Sequence, residues 1–317
     1  MNAPIKPLTE WTVDNGAWTA AKPRLSVLIP FLHDDPRALL EALDREAASL
    51  DGAVELVLLD DGAGDDELAH DVTVAVQALA LPARLIRLLA NEGRARGRNR
   101  LAGHARGAWL LFLDADMLPD RPDFLGEYIA LIAGEAPAVA FGGFSMDQTP
   151  HRREHALHRK LAGRSDCAPA RFRARHPEKY VFTSNLLVRR DVFDSEAFDE
   201  GFNGWGWEDV EWGVRVSRRH KILHVDNPAT HLGLDPADVI ARKYEQSVEN
   251  FRRIVKAHRA VIRRYPSYQV ARLMKPIPFK GLWRPMLKAV ALADAAPLGL
   301  RAFCMRLYRA ALCAEAV

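Results

Sequence analysis

Four short runs of near-continuous apolar residues punctuate the first 116 positions: LSVLIP (25 to 30), VELVLLDD (54 to 61), RLIRLL (84 to 89) and AWLLFLDAD (108 to 116). A strand with one wet face alternates apolar and polar residues, whereas strands covered on both faces of a parallel sheet read as continuous runs like these. Between them, residues 36–49, 66–80 and 94–106 carry helical patterns of about the length a crossover requires. The pattern predicts a doubly wound α/β domain, whose ligand crevice lies outside the carboxyl ends of the strands. Each run delivers polar or turn residues to that rim: Pro30, then Asp60 and Asp61, then Asn91, then Asp114 with Asp116.

Beyond Pro150 the pattern changes. HRREHALHRKLAGRSDCAPARFRARHPEKY is basic and loses its periodicity in the second half, which predicts a helix followed by a mobile loop. VFTSNLLVRRDVF (181 to 193) reads as a strand running into a turn or short helix. GFNGWGWEDVEWGVRVSRRH (201 to 220) reads as a Gly/Trp loop entering a helix, and KILHVD (221 to 226) as another short strand. From Pro236 to Tyr265 one long basic amphipathic helix is expected, and after MKPIPFKGLWRP residues 285–313 continue as helix. Four segments result: 1–23, 24–150, 151–235 and 236–317.

With 49% hydrophobic and 27% charged residues in 317, the composition is globular and neither disordered nor membranous. The first residues hold no apolar run of signal-peptide length, and nothing approaches the roughly 18 uncharged apolar residues of a membrane span. A cytoplasmic location follows as the expectation. Cys167, Cys304 and Cys313 form no CxxC pattern and are expected as reduced thiols. The net charge of +3 conceals a strong asymmetry. Residues 1–150 hold 13 Lys/Arg against 23 Asp/Glu, and residues 237–317 hold 16 against 5. An acidic body with a basic tail points to a negatively charged partner near one end.

Several stretches carry chemistry. Side chains two apart on an extended segment share a side, so Asp114 and Asp116 are expected to converge as hard oxygen ligands for Mg²⁺ or Mn²⁺; the plainer reading is a turn of two solvated Asp. Such a metal can neutralise a diphosphate leaving group. Asp60 and Asp61 precede Gly62, a turn signal that accounts for one of the two. Four arginines fall within seven residues of NEGRARGRNR at an expected helix start, where anions are favoured, although most must face solvent. In GWGWEDVEWG, Glu208 and Asp209 sit in an expected first helical turn, where the dipole favours ionised acids with or without catalysis. Gly204 and Gly206 supply loop freedom for closure, and Trp205 and Trp207 flat faces for a sugar. His231, in NPATHLG, is a candidate ligand; His224, inside a strand, suits packing better.

The ordered set LSVLIP, LLDDG, NEGRARGRNR, FLDAD, TSNLLVRRDVF, GWGWEDVE and ATH resembles a family 2 type glycosyltransferase of the GT-A fold over about residues 24–232. The second half resembles the galactosyltransferase-like subdomain of animal galactosyltransferases and bacterial chondroitin-type polymerases. The resemblance implies an α/β, GT-A type architecture: a Rossmann-like, mostly parallel sheet flanked by helices, here with a helical C-terminal extension. It implies a nucleotide-sugar-binding half at 24–150, an acceptor and catalytic half at 151–235, an N-terminal extension at 1–23 and a basic extension at 236–317. Asp116 would be the direct Mn²⁺ or Mg²⁺ ligand and His231 would complete the metal site. Asp114 would reach the ribose, or the metal through water, while Asp61 at the rim with Pro30 would read uracil through its imide N–H. Arg98 alone among the four arginines matches the family's nucleotide contact, with Gly97 in place of the usual Ala. Asp209 would be the catalytic base beside Glu208, and Trp205 would line the sugar site. Trp207 departs from the pattern, which has Gly there.

The expected activity is metal-dependent transfer of a hexose or N-acetylhexosamine from a UDP-sugar to a glycan, lipid-linked or other hydroxyl acceptor, with inversion, in polysaccharide or glycoconjugate biosynthesis. The basic C-terminal helices would rest on an anionic membrane surface at its inner face, and no nucleic acid partner is expected. A nucleotidyltransferase of similar fold would carry a Gly-rich basic loop after its first strand, where PFLHDDP is acidic and lacks Gly. A non-enzymatic protein binding anionic surfaces would need no rim of acids.

Overall fold

The computed structural model describes residues 10–163 and 166–317; residues 1–9, most of the first half of the N-terminal extension, lie outside the described residues. The strands are β1 (Glu10–Asp14), β2 (Leu25–Phe31), β3 (Val54–Asp60), β4 (Ala83–Leu88), β5 (Trp109–Leu113), β6 (Met117–Pro119), β7 (Val139–Phe141), β8 (Phe144–Ser145), β9 (Asn185–Arg189), β10 (Ile222–His224) and β11 (Ala229–His231). The helices are α1 (Arg37–Asp44), α2 (Asp66–Ala78), α3 (Arg94–His104), α4 (Phe124–Glu135), α5 (Ala156–Ala162), α6 (Ala170–Arg173), α7 (Arg190–Ser195) and α8 (Glu208–Val216). A C-terminal set follows: α9 (Ala237–Gln246), α10 (Val248–Ile262), α11 (Pro266–Met274), α12 (Lys280–Leu292) and α13 (Leu298–Cys313).

The main sheet runs β1-β4-β3-β2-β5-β9-β7-β10. Strands β4, β3, β2 and β5 are parallel neighbours, as are β7 and β10, while β9 runs antiparallel between β5 and β7. All seven residues of β3 are buried, with Leu56 and Leu58 in one core and Val57 and Leu59 in the other. That two-sided burial is why the strand reads as an unbroken apolar run. From β2 the chain builds outward to β3 and β4, then returns to place β5 on the other side. The reversal opens a crevice at the carboxyl ends of β2 and β5.

A second, three-stranded sheet, β6-β11-β8, stands over that crevice. Its antiparallel pairing sets His231 opposite Met117, immediately after Asp116. The main sheet and this one are joined through Asn185, fully buried at the start of β9. Its amide donates to the carbonyls of Gly143 and Asn227 (both 2.9 Å), and its carbonyl accepts from the Tyr128 hydroxyl at 2.6 Å.

Several elements differ from the sequence expectation. β1 adds an antiparallel edge beside β4, in a stretch the apolar pattern did not single out. Helix α4 also went unread; its first turn is capped from a distance by Glu46, whose carboxylate accepts from the N–H groups of Leu125 and Gly126 (2.9 and 3.0 Å). The expected mobile loop before residue 181 instead contains α6 and a 3-10 turn at Pro177–Tyr180. The buried Arg173 guanidinium organises it, donating to the carbonyls of Ala168, Gly142 and Val225 and to His224 Nδ1. His224 is thus a packing residue, with Nε2 facing the Pro177 carbonyl at 3.1 Å. The single long helix expected from 236 to 265 is two, parted at the fully buried Ser247, and α10 is kinked at His258 (φ −132°). Buried polar partners explain the kink: His258 faces Glu211 at 2.9 Å and receives Arg218 at 2.8 Å. No helix among the described residues is long and apolar enough to cross a membrane.

Asn185→Ala is expected to lower the unfolding free energy by roughly 2 kcal/mol or more, because it strands the Asn227 carbonyl and the Tyr128 hydroxyl in the interior, while the Gly143 carbonyl keeps the Ala229 N–H at 3.3 Å. Denaturant unfolding monitored by tryptophan fluorescence measures it; a loss below about 1 kcal/mol would show that the two sheets are not held together there.

Candidate active site

A cavity of about 820 Å³ opens at the strand-order reversal. The nine residues to which the resemblance gives a site role all line it: Pro30, Asp61, Arg98, Asp114, Asp116, Trp205, Glu208, Asp209 and His231; Asp60 and His224 do not. The nine come from β2, the turns after β3 and β5, helix α3, the loop into α8 and its first turn, and β11.

Asp114 and Asp116 do not lie on an extended segment. β5 ends at Leu113, and Met117 N–H closes a turn on the Asp114 carbonyl at 3.1 Å. The two carboxylates consequently serve different partners. Asp116 meets His231 Nε2 at 2.9 Å, while Asp114 accepts from Arg98 Nη2 at 2.9 Å. Burial pushes the Asp116 pKa up, but the hydrogen bond and charge of His231 outweigh it and hold the carboxyl below its usual range. For His231 burial lowers the pKa and Asp116 more than reverses it. Gly233 stands against this pair: a Cβ there would collide with the Asp116 carboxylate. The space Gly233 leaves borders the Asp116 carboxylate, whose Oδ2 also meets His231 Nε2; a carboxylate and an imidazole are donors of the kind that bind Mn²⁺ or Mg²⁺ when ligand oxygens complete the set. Among the described residues no group of three or more His, Cys, Asp or Glu gathers to hold a metal.

Arg98, 2% exposed, stands between the two halves of the site. Besides the Nη2 contact with Asp114, its Nη1 lies 3.7 Å from Glu208, and its Nε and Nη1 have no hydrogen-bond partner among the described residues. Burial lowers the Arg98 pKa, but Asp114, Asp209 and Glu208 together raise it. Glu208 is 5% exposed and its Oε2 is also unpartnered among the described residues. Asp209 accepts from the Thr183 hydroxyl at 3.2 Å and from its N–H at 3.4 Å. Burial first, then the neighbouring Glu208 carboxylate, push the Asp209 pKa up to about 7, with Arg98 pulling the other way. A carboxylate near neutrality, open to a cavity, can take a proton from a bound hydroxyl.

The loop before α8 is shaped by backbone rather than by freedom. Gly204, Gly206 and Trp207 all adopt positive φ, +76°, +86° and +76°. A tryptophan in this region is strained, and a glycine would fit it without cost. Asn250 on α10 pins the loop by donating to the carbonyls of Asn203 and Gly206 (both 2.9 Å). Trp207 is not the open stacking face the sequence suggests. Phe251 packs on it at 4.8 Å and the Arg309 guanidinium lies 5.3 Å from its ring. Trp205 keeps its place on the cavity wall, 6.1 Å from Tyr244.

At the other end, Asp60 makes the turn, accepting from Ala63 N–H at 3.2 Å and pairing with Arg87. Asp61 faces the cavity and organises the segment before α3. Its Oδ1 accepts from Glu92 N–H at 2.8 Å, and its Oδ2 from Asn91 and Gly93. Of the other arginines of that cluster, Arg94 lines the cavity, while Arg96 pairs with Glu200 and Arg100 with Glu92 and Glu10 away from it. Residues that sequence reasoning missed also line the cavity, notably Asp34, Lys179, Ser184, Lys243 and Arg309. Partial desolvation, then Asp116 and Asp114, raise the Asp34 pKa. Asp34 sits in a strand-end loop and was within reach of the rim argument. The C-terminal residues had no local signal, since only long-range packing brings α9 and α13 to the wall.

The profile of glycosyl transferase family 2 matches residues 26–195. The uncharacterized glycosyltransferase YfnE of Bacillus subtilis is 25% identical over 61% of this chain and 60% of its own length. An uncharacterized glycosyltransferase of Haemophilus influenzae is 33% identical over 31% of each chain. The chain therefore spans 60% or less of the length of these curated relatives. Among solved structures, the mannosyltransferase PcManGT from Pyrobaculum calidifontis, in complex with GDP-Man and Mn²⁺, superposes with a TM-score of 0.58. The superposition covers 95% of this chain and 88% of that one at 15% identity, a likeness of fold.

The raised Asp209 pKa has a thermodynamic signature. The folded state holds the Asp209 proton up to about pH 7, while an unfolded Asp releases it near 3.9. Stability contributed by this group is therefore present at low pH and lost as pH rises through that window. Asp209→Asn is expected to raise the unfolding midpoint relative to wild type more at pH 8 than at pH 5. Carboxyl-labelled NMR is expected to find a titration near 7 that moves down in Glu208→Gln. An equal stability difference at both pH values would contradict the assignment.

Proposed function

The chain belongs to glycosyl transferase family 2, and on that premise we propose that it moves a hexose or N-acetylhexosamine from a UDP-sugar to a hydroxyl of a glycan or lipid-linked acceptor, with inversion, in polysaccharide or glycoconjugate assembly. The observation that carries the proposal is the meeting, in one cavity, of the Asp116–His231 pair with the Arg98-linked acids Asp114, Glu208 and Asp209.

Each chain residue has a task in this reading. The acceptor oxygen attacks the anomeric carbon, its proton passes to Asp209, and the bond from that carbon to the phosphate oxygen breaks, releasing UDP. Thr183 orients the Asp209 carboxylate through two contacts. Arg98 keeps the acids of the donor and acceptor sides in register and offsets their mutual repulsion. Asp61 Oδ1 accepts one N–H within the chain and keeps a lone pair for the uracil imide. Asp116 and His231 would hold Mn²⁺ or Mg²⁺, which when bound neutralises charge on the departing diphosphate. PcManGT, of like fold, binds GDP-Man and Mn²⁺, which supports a nucleotide-sugar donor and this metal. The uridine preference rests on Asp61.

Hydrolysis of UDP-, GDP- and TDP-sugars with Mn²⁺ is expected to be fastest for a UDP-sugar; no turnover of any donor would remove the proposal. Asp209→Asn is expected to lower transfer about 10²-fold or more with little change in donor affinity, and to remove the rise of rate with pH through about 7. Retained turnover in Asp209→Asn with loss in Glu208→Gln would reverse the two roles. Calorimetry of UDP binding is expected to show dependence on Mn²⁺ that Asp116→Asn and His231→Ala both weaken; equal affinity in EDTA would exclude the metal role.

A further inference from the structure

Nine of the twelve large apolar side chains that are exposed among the described residues fall between Val270 and Phe303. The hairpin of α12 and α13, with the end of α11, concentrates them. Along α12 the exposed positions Phe279, Leu282, Met286, Ala289 and Ala293 repeat at intervals of three and four, one uncharged outer line from cap to cap. Phe279 is 80% exposed, Leu282 68% and Met286 61%. On α11 Leu273 is 74% exposed, and on α13 Phe303 is 56%. The inner face of α12 is spent on the fold, with Trp283, Leu287 and Val290 packed toward α13. Phe279 holds a left-handed backbone (φ +56°) at the start of α12, its carbonyl accepting from the N–H groups of Leu282 and Trp283, while its ring faces solvent.

Cations without an ion-pair partner among the described residues flank this apolar line. The carboxylates of this region, Asp294 and Glu315, are occupied by Arg301 and Arg284. Arg272, Lys280 and Arg306 form no ion pair among the described residues. We infer that the α11–α12–α13 face is a docking surface for an anionic phospholipid bilayer, entered by Phe279, Leu282 and Met286 and held by Arg272, Lys280 and Arg306. An apolar line rimmed by unpaired cations is the surface that lies in an anionic interface without spanning it. A twofold pairing of two copies through the same face would instead bring these cations toward each other.

The orientation has a consequence for the cavity. Ser267 and Arg309 line its wall and lie six residues from Leu273 and Phe303 on the same two helices, roughly 9 Å along each axis. Docking brings the helical wall of the cavity to the bilayer surface, where an amphiphilic acceptor would be met. The docking itself does not depend on the transfer reaction.

Co-sedimentation of the full chain with vesicles of phosphatidylglycerol and phosphatidylcholine, or of phosphatidylcholine alone, tests it. Binding is expected only to the anionic vesicles and to weaken with salt. Phe279→Ser, Leu282→Ser and Met286→Ser together are expected to weaken binding tenfold or more, and Arg272→Glu, Lys280→Glu and Arg306→Glu to do the same. Both sets should leave the unfolding midpoint and UDP binding unchanged, and Val74→Ser with Leu89→Ser, exposed elsewhere, should leave vesicle binding unchanged. Full chain remaining in the supernatant with anionic vesicles, or either triple variant binding as wild type, would overturn the inference. So would a dimer in light scattering that the apolar triple variant dissolves while vesicle binding persists.

Discussion

The Arg98 guanidinium is the constraint on which the site depends. It is buried at the start of α3 and reaches Asp114 from the end of β5 and Glu208 from the start of α8. These elements belong to different parts of the chain, and without a cation between them their carboxylates would repel across a few ångströms of interior. A buried charge of this kind contributes little to net stability, yet removing one partner strands the rest and is strongly destabilising. The unpartnered Nε and Nη1 of Arg98 and Oε2 of Glu208 leave this network incompletely satisfied among the described residues. Buried donors and acceptors in that state are costly unless a ligand or water completes them.

The C-terminal helices set how firmly the catalytic loop is held. Asn250 fixes the loop carbonyls and His258 fixes Glu211 on α8, so α10 clamps both ends of the Gly/Trp-to-helix transition. Phe202 and Trp207 share an apolar cluster with Phe251 and Ile254 of α10. The strained backbone of Trp207 is paid for by that packing. This arrangement also accounts for the tryptophan at a position where glycine would be conformationally easier: its ring is the anchor between the loop and the tail.

The same helices divide charge over the molecule. Carboxylates gather at the strand ends, while Lys243 and Arg309 reach the cavity from the basic side. Lys243 is compensated by Asp235 at 2.6 Å. Arg309 stacks on Tyr244 and Trp207. The basic tail is therefore partly an inner wall of the site, through Lys243 and Arg309, and partly an outer surface.

The α/β class, the four central strands and the strand-end and loop residues assigned to the site were legible in the sequence, whereas Lys179, Lys243 and Arg309 on the cavity wall were not. Burial on both faces of a parallel strand leaves an unbroken apolar run, and strand ends necessarily carry the residues that face a crevice. Local chemistry of this kind survives in the order of residues. What neighbouring residues cannot encode was decided by tertiary structure. The separate partners of Asp114 and Asp116 follow from a turn and from the pairing of β11 with β6, more than a hundred positions apart. The ordering of residues 168–180 follows from one buried arginine finding distant carbonyls, and the kink of α10 at His258 follows from its buried partners Glu211 and Arg218. In each case the deciding energy is a hydrogen bond or ion pair between segments distant in sequence. The amphipathic pattern of the tail was visible from the start, but which of its apolar residues pack inward and which remain on the surface depends on how α12 folds back on α13.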